Sequence, residues 1–186
     1  IFSEYYAAPA GTNYKLIKNS SNKYELSAPY GETMVFNADN NIESITTLFG
    51  RTTTFTYNSD KKLTTVTDPF ARTLTLTWSG DKITGVSCMG KSATFSYTGD
   101  NLTSCTDVLS KSWVYEYDVN NRMTVFKNPN NGGSIVVRNV YSDNGAVIEQ
   151  YSEGNDTKKW TLSYVGTRSE EKDPLGNIKK YTYDDR

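Results

Sequence analysis

The sequence contains no histidine, which removes a Ser-His-Asp or Cys-His relay and any His-ligated zinc site. Cysteine is limited to Cys88 and Cys105, and proline to five residues. Aliphatic bulk is scarce as well. Leu, Ile, Val and Phe together number 37 of 186 residues, at the border where a chain fails to bury a core. No apolar run approaches the roughly 18 residues of a membrane helix, so membrane insertion is not expected. An excess of one charge is missing too. The 20 Lys and Arg balance 21 Asp and Glu, without the basic cluster that nucleic-acid binding draws on. The opening Ile1-Phe2-Ser3-Glu4-Tyr5-Tyr6 has neither the basic start nor the apolar core of a signal peptide. With no initiator Met and an ending in mid-pattern at Asp185-Arg186, the chain is expected to be a piece of something longer.

What the sequence does hold is 14 Tyr, 3 Trp and 24 Thr. Aromatic and β-branched residues favour the pleated, half-buried surface of a strand. A net charge of only −1 leaves no self-repulsion to keep the chain open. The composition therefore reads as all-β.

An aromatic followed by a turn-forming segment recurs along the chain: Phe36, Tyr57, Trp78, Tyr97, Tyr117, Tyr141, Tyr164 and Tyr183. The intervals are 21, 21, 19, 20, 24, 23 and 19 residues. Two positions earlier stand Met34, Phe55, Leu76, Phe95, Tyr115, Leu162 and Tyr181, with Asn139 breaking the rule. A spacing of two puts both side chains on one face of a strand. After the anchor comes a tight turn. Gly80-Asp81 and Gly99-Asp100 suit a primed hairpin turn, because Gly accepts positive φ. In the longer turns Asn41, Asn121 and Gly145 are expected to supply the left-handed residue. The returning strand carries apolar residues three apart: Ile42 and Ile45, Leu63 and Val66, Ile83 and Val86, Leu102 and Cys105. That violates strict alternation. Either both faces are partly covered or a bulge shifts the parity, and the bulge is the favoured reading.

Each unit closes with a second turn, at Asp68-Pro69-Phe70-Ala71, Asn128-Pro129-Asn130-Asn131-Gly132 and Asp173-Pro174-Leu175-Gly176. Leu48-Phe49-Gly50 and Cys88-Met89-Gly90 fill the same slot without proline. Residues 31–186 thus read as about eight β-hairpins, the last one truncated, and residues 1–30 as a lead-in hairpin of the same sheet. Some fifteen strands at about 4.8 Å each would span about 70 Å if flat, so a strongly curved open sheet or a spiral is expected.

Tyr115-Glu116-Tyr117-Asp118-Val119-Asn120-Asn121-Arg122-Met123 and Tyr181-Thr182-Tyr183-Asp184 resemble the Tyr-Asp (YD) repeat of Rhs proteins. So does the stretch from Gly50-Arg51 through Phe55-Thr56-Tyr57-Asn58 to Thr67-Asp68-Pro69. The likeness covers residues 31–186. It departs from the pattern where only Asp118 and Asp184 keep the Asp after the anchor, and where Phe36 and Trp78 replace the Tyr. The hairpins at 139–171 are irregular. The resemblance implies a spiralling β-sheet that builds a hollow shell, of which this chain would be an arc. In Rhs proteins and insecticidal toxin complexes the shell encloses a C-terminal toxin; in teneurins it forms part of an adhesive cell-surface structure. The expected partners are the rest of the same polypeptide shell and an enclosed toxin or effector, with the protein secreted or at the cell surface.

The family also has a self-cleaving end region near an Asp-Pro-x-Gly motif. Asp173-Pro174-Leu175-Gly176 and Asp68-Pro69-Phe70-Ala71 match part of it, but both sit at the regular repeat turn and read as proline turns. Acid-base work needs two positioned carboxylates with separated pKa values. Glu170-Glu171 and Asp184-Asp185 are adjacent, so in a strand they point to opposite faces. No catalytic residue, cofactor or metal site is assigned. Cys88 and Cys105 are expected about 10 Å apart with one strand between them, beyond disulfide reach, and to remain free thiols. Three glycosylation sequons begin at Asn19, Asn101 and Asn155 and matter only in a eukaryotic secretory setting. Trp113 and Trp160 lie off the anchor positions; Trp160 shares the parity of Tyr164, leaving a glycan-binding face as the alternative to a scaffold.

Overall fold

The structure, a computed structural model, describes residues 4–6, 8–130 and 133–184. Asn131-Gly132 of one expected turn, and Asp185 and Arg186, lie outside the described residues. The chain divides into two compact units, Ile1–Ser92 and Ala93–Arg186. Among the described residues there is no α-helix, and the all-β, antiparallel expectation holds.

In the first unit the strands are β1 (Glu4–Tyr6), β2 (Lys15–Lys18), β3 (Tyr24–Ser27), β4 (Thr33–Phe36), β5 (Ile42–Thr46), β6 (Thr52–Tyr57), β7 (Leu63–Thr67), β8 (Thr73–Ser79) and β9 (Lys82–Cys88). Each pairs antiparallel with the next. The hairpin β2–β3 read from residues 1–30 is present and joins β4 directly, with β1 added on its outer side. The second unit repeats the plan with β10 (Lys91–Thr98), whose first two residues precede the division, β11 (Asn101–Thr106), β12 (Ser112–Tyr117), β13 (Met123–Lys127), β14 (Ile135–Tyr141), β15 (Val147–Ser152), β16 (Lys159–Val165), β17 (Arg168–Lys172) and β18 (Ile178–Thr182). These too pair in chain order. Among the described residues no pairing joins β1 to β9 or β10 to β18.

The spacing of three on the returning strands has a single cause. At each of six hairpins the register slips by one residue just before the anchor aromatic. Phe36 faces Ile42 while Val35 faces Ser44, so Glu43 is the extra residue. The same geometry leaves out Thr64, Thr84, Thr103, Thr124 and Ile148. A bulge inverts parity on one strand alone. Both apolar residues of the return therefore meet the anchor aromatic and the apolar or aromatic residue two before it: Tyr57 faces Leu63 and Phe55 faces Val66, and Trp78 faces Ile83 and Leu76 faces Val86. The hairpin β16–β17 lacks the bulge. There Tyr164 faces Ser169 and Leu162 faces Glu171, so no apolar return covers Tyr164.

The longer turns share one construction. The first residue, Asn19, Asn37, Asn58, Asp68, Asp107, Asp118 or Asp173, accepts hydrogen bonds at Oδ1 from the backbone N–H groups two and four positions on. The fourth residue is left-handed, with φ of 60° at Asn121 and 89° at Gly176. This corrects one expectation: at the first such hairpin the left-handed residue is Asn40, at φ 63°, and not Asn41. Asn41 is instead the fifth residue, whose N–H bonds to Asn37 Oδ1. The sequence misled because two asparagines adjoin, and either tolerates positive φ.

Packing is thin. The aromatic face of each unit is half-buried, with Tyr151, at 9% exposure, the most covered large side chain and Ser169, at 7%, the buried polar one. The anchors Tyr164 and Tyr183 are 49% and 58% exposed, and Tyr183 lies past the last residue of β18. The opposite face of the first unit is a threonine surface. Thr46 faces Thr52, Thr54 faces Thr67 and Thr67 faces Thr73. Hydroxyls meet across strands at 3.0 Å (Thr46–Thr52) and 3.1 Å (Thr67–Thr73). β-Branched residues satisfy the pleat without presenting apolar bulk to water, which accounts for the abundance of threonine.

Candidate functional site

The anchor aromatics join successive repeats as well as lining a face. Tyr57 Oη donates to the carbonyl of Ile42 at 2.8 Å, and Trp78 Nε1 to that of Leu63 at 2.7 Å. Tyr117 Oη donates to Leu102 at 2.8 Å, and Tyr141 Oη to Met123 at 2.7 Å. In every case the acceptor is the residue of the preceding repeat's returning strand that stands immediately before its bulge. The inter-repeat ladders stop short of these carbonyls, at Ser44–Thr54, Thr65–Thr75, Ser104–Val114 and Val125–Arg138. The aromatic tip therefore satisfies an acceptor that the ladder abandons. Burial pushes the Tyr57 hydroxyl above its usual pKa, keeping it a donor.

A second set of bonds runs along the hairpin turns. Arg122 binds Asp118 through Nε at 2.7 Å, donates from a terminal nitrogen to the Ser142 carbonyl at 2.9 Å, and lies 4.8 Å over the Tyr141 ring. Asn101 Nδ2 donates to Asn121 Oδ1 at 2.8 Å. Lys62 reaches the Gly80 carbonyl and pairs with Asp81 at 2.8 Å, and Lys23 pairs with Glu43. The pair Asp118–Arg122 is thus a bridge to the following repeat. Its carboxyl is held below the usual range, first by the Arg122 backbone N–H and then by the guanidinium.

One cluster was not legible in the sequence. The Arg138 guanidinium stacks 3.9 Å over Tyr151 and pairs with Asp156; Tyr151 Oη donates to Glu149 at 2.5 Å; Lys159 pairs with Glu149 at 2.9 Å. The tyrosine hydroxyl, and after it Lys159, holds the Glu149 carboxyl low, and the same bond pushes the Tyr151 phenol up. These residues meet because Arg138 and Lys159 both face Tyr151 from neighbouring strands, a juxtaposition that no local spacing encodes. A carboxylate saturated by a phenol and an ammonium is a poor proton acceptor, so the arrangement ties three strands together and offers no base.

The other sequence candidates separate. Glu170 faces Lys180 and pairs with it at 3.0 Å, while Glu171 faces Lys179; the two carboxylates do not act as a pair. Asp68 and Asp173 spend their oxygens on their own turns and on Arg72 and Asn177. Cys88 and Cys105 are free thiols. Trp160 sits between two shallow hollows, of about 310 Å³ and 340 Å³, which share it and Glu171. The first is also lined by Gln150 and Leu162, the second by Asn177 and Lys179.

No family model matches the chain, and no curated protein matches it. Among solved structures, one titled "Crystal Structure of TcdB2-TccC3-TEV" aligns over 89% of this chain at 13% identity and a TM-score of 0.42. The alignment takes in 12% of that chain's length.

Proposed function

We propose that this chain is a non-enzymatic scaffold: a length of hairpin-repeat wall of the Rhs shell type, which encloses or presents a polypeptide, such as a toxin or effector, in a secreted or surface-exposed protein. The observation that supports this reading is the use to which the polar groups are put. Anchor hydroxyls, Arg122 and Lys62 at the turns, and the Lys159–Glu149 pair are engaged in joining one hairpin to the next. Sequencing the reading frame on both sides of this chain, followed by protease digestion of the full-length product, tests it. A long repeat array with a downstream polypeptide that resists protease until the wall is denatured supports enclosure. A flanking lectin-like domain, or a downstream segment digested as fast as the free polypeptide, refutes it.

The Trp160 hollows favour a second reading, an adhesion or carbohydrate-binding module. An aromatic ring flanked by Gln150, Glu171, Asn177 and Lys179 offers a stacking face with polar groups at its rim. Isothermal titration against a glycan panel, with Trp160→Ala alongside, decides it. Absence of heat at millimolar sugar removes this reading.

A further inference from the structure

In an antiparallel meander alternate turns fall at the same edge, so the first unit has two edges of different composition. One carries the hairpin turns after the anchors, with Asp39, Asp60 and Asp81 near their tips. The other carries the turns that link one hairpin to the next. There the tips are Tyr30, Phe49, Phe70 and Met89, exposed by 91%, 87%, 66% and 76%. The fold does not require this. Asn58-Ser59-Asp60-Lys61 and Asp68-Pro69-Phe70-Ala71 have the same capping bonds and the same left-handed fourth residue, at φ 61° in both. The third position points outward in each, so a phenylalanine at 70 gains nothing for the turn that an aspartate at 60 does not. Four large apolar tips spaced about 9.6 Å apart, two strand widths, form an apolar row of the kind that marks an interaction surface.

Charge selects the occupant. The linking turns also carry Glu32, Arg51, Asp68 with Arg72, and Lys91, so the row is negative at one end and positive at the other. We propose that the occupant is the same edge of a second copy of this chain, related by a two-fold axis normal to the sheet. That operation reverses the row. Glu32 then meets Lys91 of the second copy at both rims, and Tyr30 meets Met89. Phe49 and Phe70 from each copy gather about the axis, where Arg51 and Arg72 already flank the Phe70 ring at 5.6 Å. A two-fold axis lying along the row would instead set Glu32 against Glu32 and Lys91 against Lys91. In the favoured arrangement the phenylalanines are central, with Arg51 and Arg72 lying over the Phe70 ring and Asp68 pairing Arg72, and the Glu32–Lys91 pairs lie at the rim of an isologous interface. A pitch of about 9.6 Å also leaves room between tips for one side chain of the partner.

Sedimentation velocity over about 1–100 µM of the intact chain tests this. A concentration-dependent dimer is expected, weakened about tenfold or more by Phe49→Ser with Phe70→Ser, at an unchanged melting temperature because both rings are exposed. Glu32→Lys and Lys91→Glu should each weaken the dimer, and the double exchange should restore it. A monomer throughout this range overturns the proposal. So does association that survives the phenylalanine substitutions, which would place contact at open strand edges, or tips that govern binding to anionic vesicles by a monomeric chain. Single charge reversals without effect, or a double exchange that fails to restore, refute the two-fold arrangement.

Discussion

Removing one hydroxyl from an anchor isolates what the inter-repeat bond contributes. In Tyr117→Phe the ring remains against Leu102 and Met123, its neighbours in the bulged hairpin and the preceding repeat. What goes is the donor to the Leu102 carbonyl, 2.8 Å away. That carbonyl lies beyond the last ladder pair between β11 and β12, Ser104–Val114, so the strands offer it no substitute. A neutral hydrogen bond contributes about 1 kcal/mol net, and a carbonyl left only partly hydrated adds somewhat to the loss. The expected destabilisation is therefore about 1–1.5 kcal/mol. That lowers the melting temperature by about 2–6 °C if all 186 residues unfold together, and by about 4–12 °C if the second unit melts alone. Circular dichroism melts at 217 nm, a wavelength of about the strand minimum, read the shift alongside Tyr164→Phe. Tyr164 is half-exposed, so its hydroxyl should matter by less than about 0.5 kcal/mol. Hydrogen exchange should localise the Tyr117→Phe effect to β11–β13, because a repeat's stability depends on its nearest neighbours. Equal shifts in the two variants, or no shift in Tyr117→Phe, would refute the view that anchor tips carry a specific load.

Three further outcomes follow from the turns and the register. The carboxyls of Asp68, Asp118 and Asp173 are held low chiefly by the Arg72 side chain, the Arg122 backbone N–H and the Asn177 side chain respectively. A folded pKa below the unfolded one contributes stability that is present above about pH 4 and lost as pH falls through the folded value. Replacing all three by Asn keeps the Oδ1 acceptor and should flatten the decline of melting temperature below about pH 4; an unchanged acid slope would show that other carboxylates govern it. Ala71→Gly, at φ 61°, should stabilise by about 0.5–1 kcal/mol by relieving a left-handed alanine, measured by urea titration, whereas a loss of stability would mean that the alanine methyl packs. Deleting Thr124 removes the bulged residue between Met123 and Val125. The shortened strand alternates regularly, with Met123 and Phe126 two apart and still facing Tyr117 and Tyr115, so the variant should keep its apolar face and its soluble yield; binding of a fluorescent dye to newly exposed apolar surface would show that the bulge itself fixes the register.

The repeat was legible because its signals are local. An aromatic pair two apart, an Asx or Gly turn and a Pro or Gly linker each act within about six residues, and together they place fifteen of the strands, β4 to β18. The bulge was legible indirectly, through Ile42 and Ile45 or Leu63 and Val66, since a spacing of three on a strand has few physical explanations. β1 was not, being three residues paired to β2 with no turn chemistry of its own kind before it. Nor were the bonds from one repeat to the next. Tyr57 and Ile42 are 15 residues apart, as are Trp78 and Leu63 and Tyr117 and Leu102, a distance set by two strands and a turn and visible only once the register is known.

The bulge and the anchor bond depend on each other. The bulge lets apolar residues three apart on the return strand cover the anchor and the residue two before it, on one face of the outgoing strand. Twisting the strand at that point draws the residue before the bulge, Ile42, Leu63, Leu102 or Met123, out of the ladder with the following repeat and leaves its carbonyl without a strand partner. A half-buried carbonyl then has to be met by a side chain, and the one aromatic of the next repeat that lies within reach must carry a donor. Tyrosine and tryptophan satisfy both demands and phenylalanine only the first. Phe36 stands where that second demand is absent: the hairpin before it, β2–β3, is in continuous register, with Lys18 facing Tyr24 and no bulge to free a carbonyl. At Phe36, Tyr57, Trp78, Tyr117 and Tyr141, identity at the anchor position is therefore set by the geometry of the repeat before it.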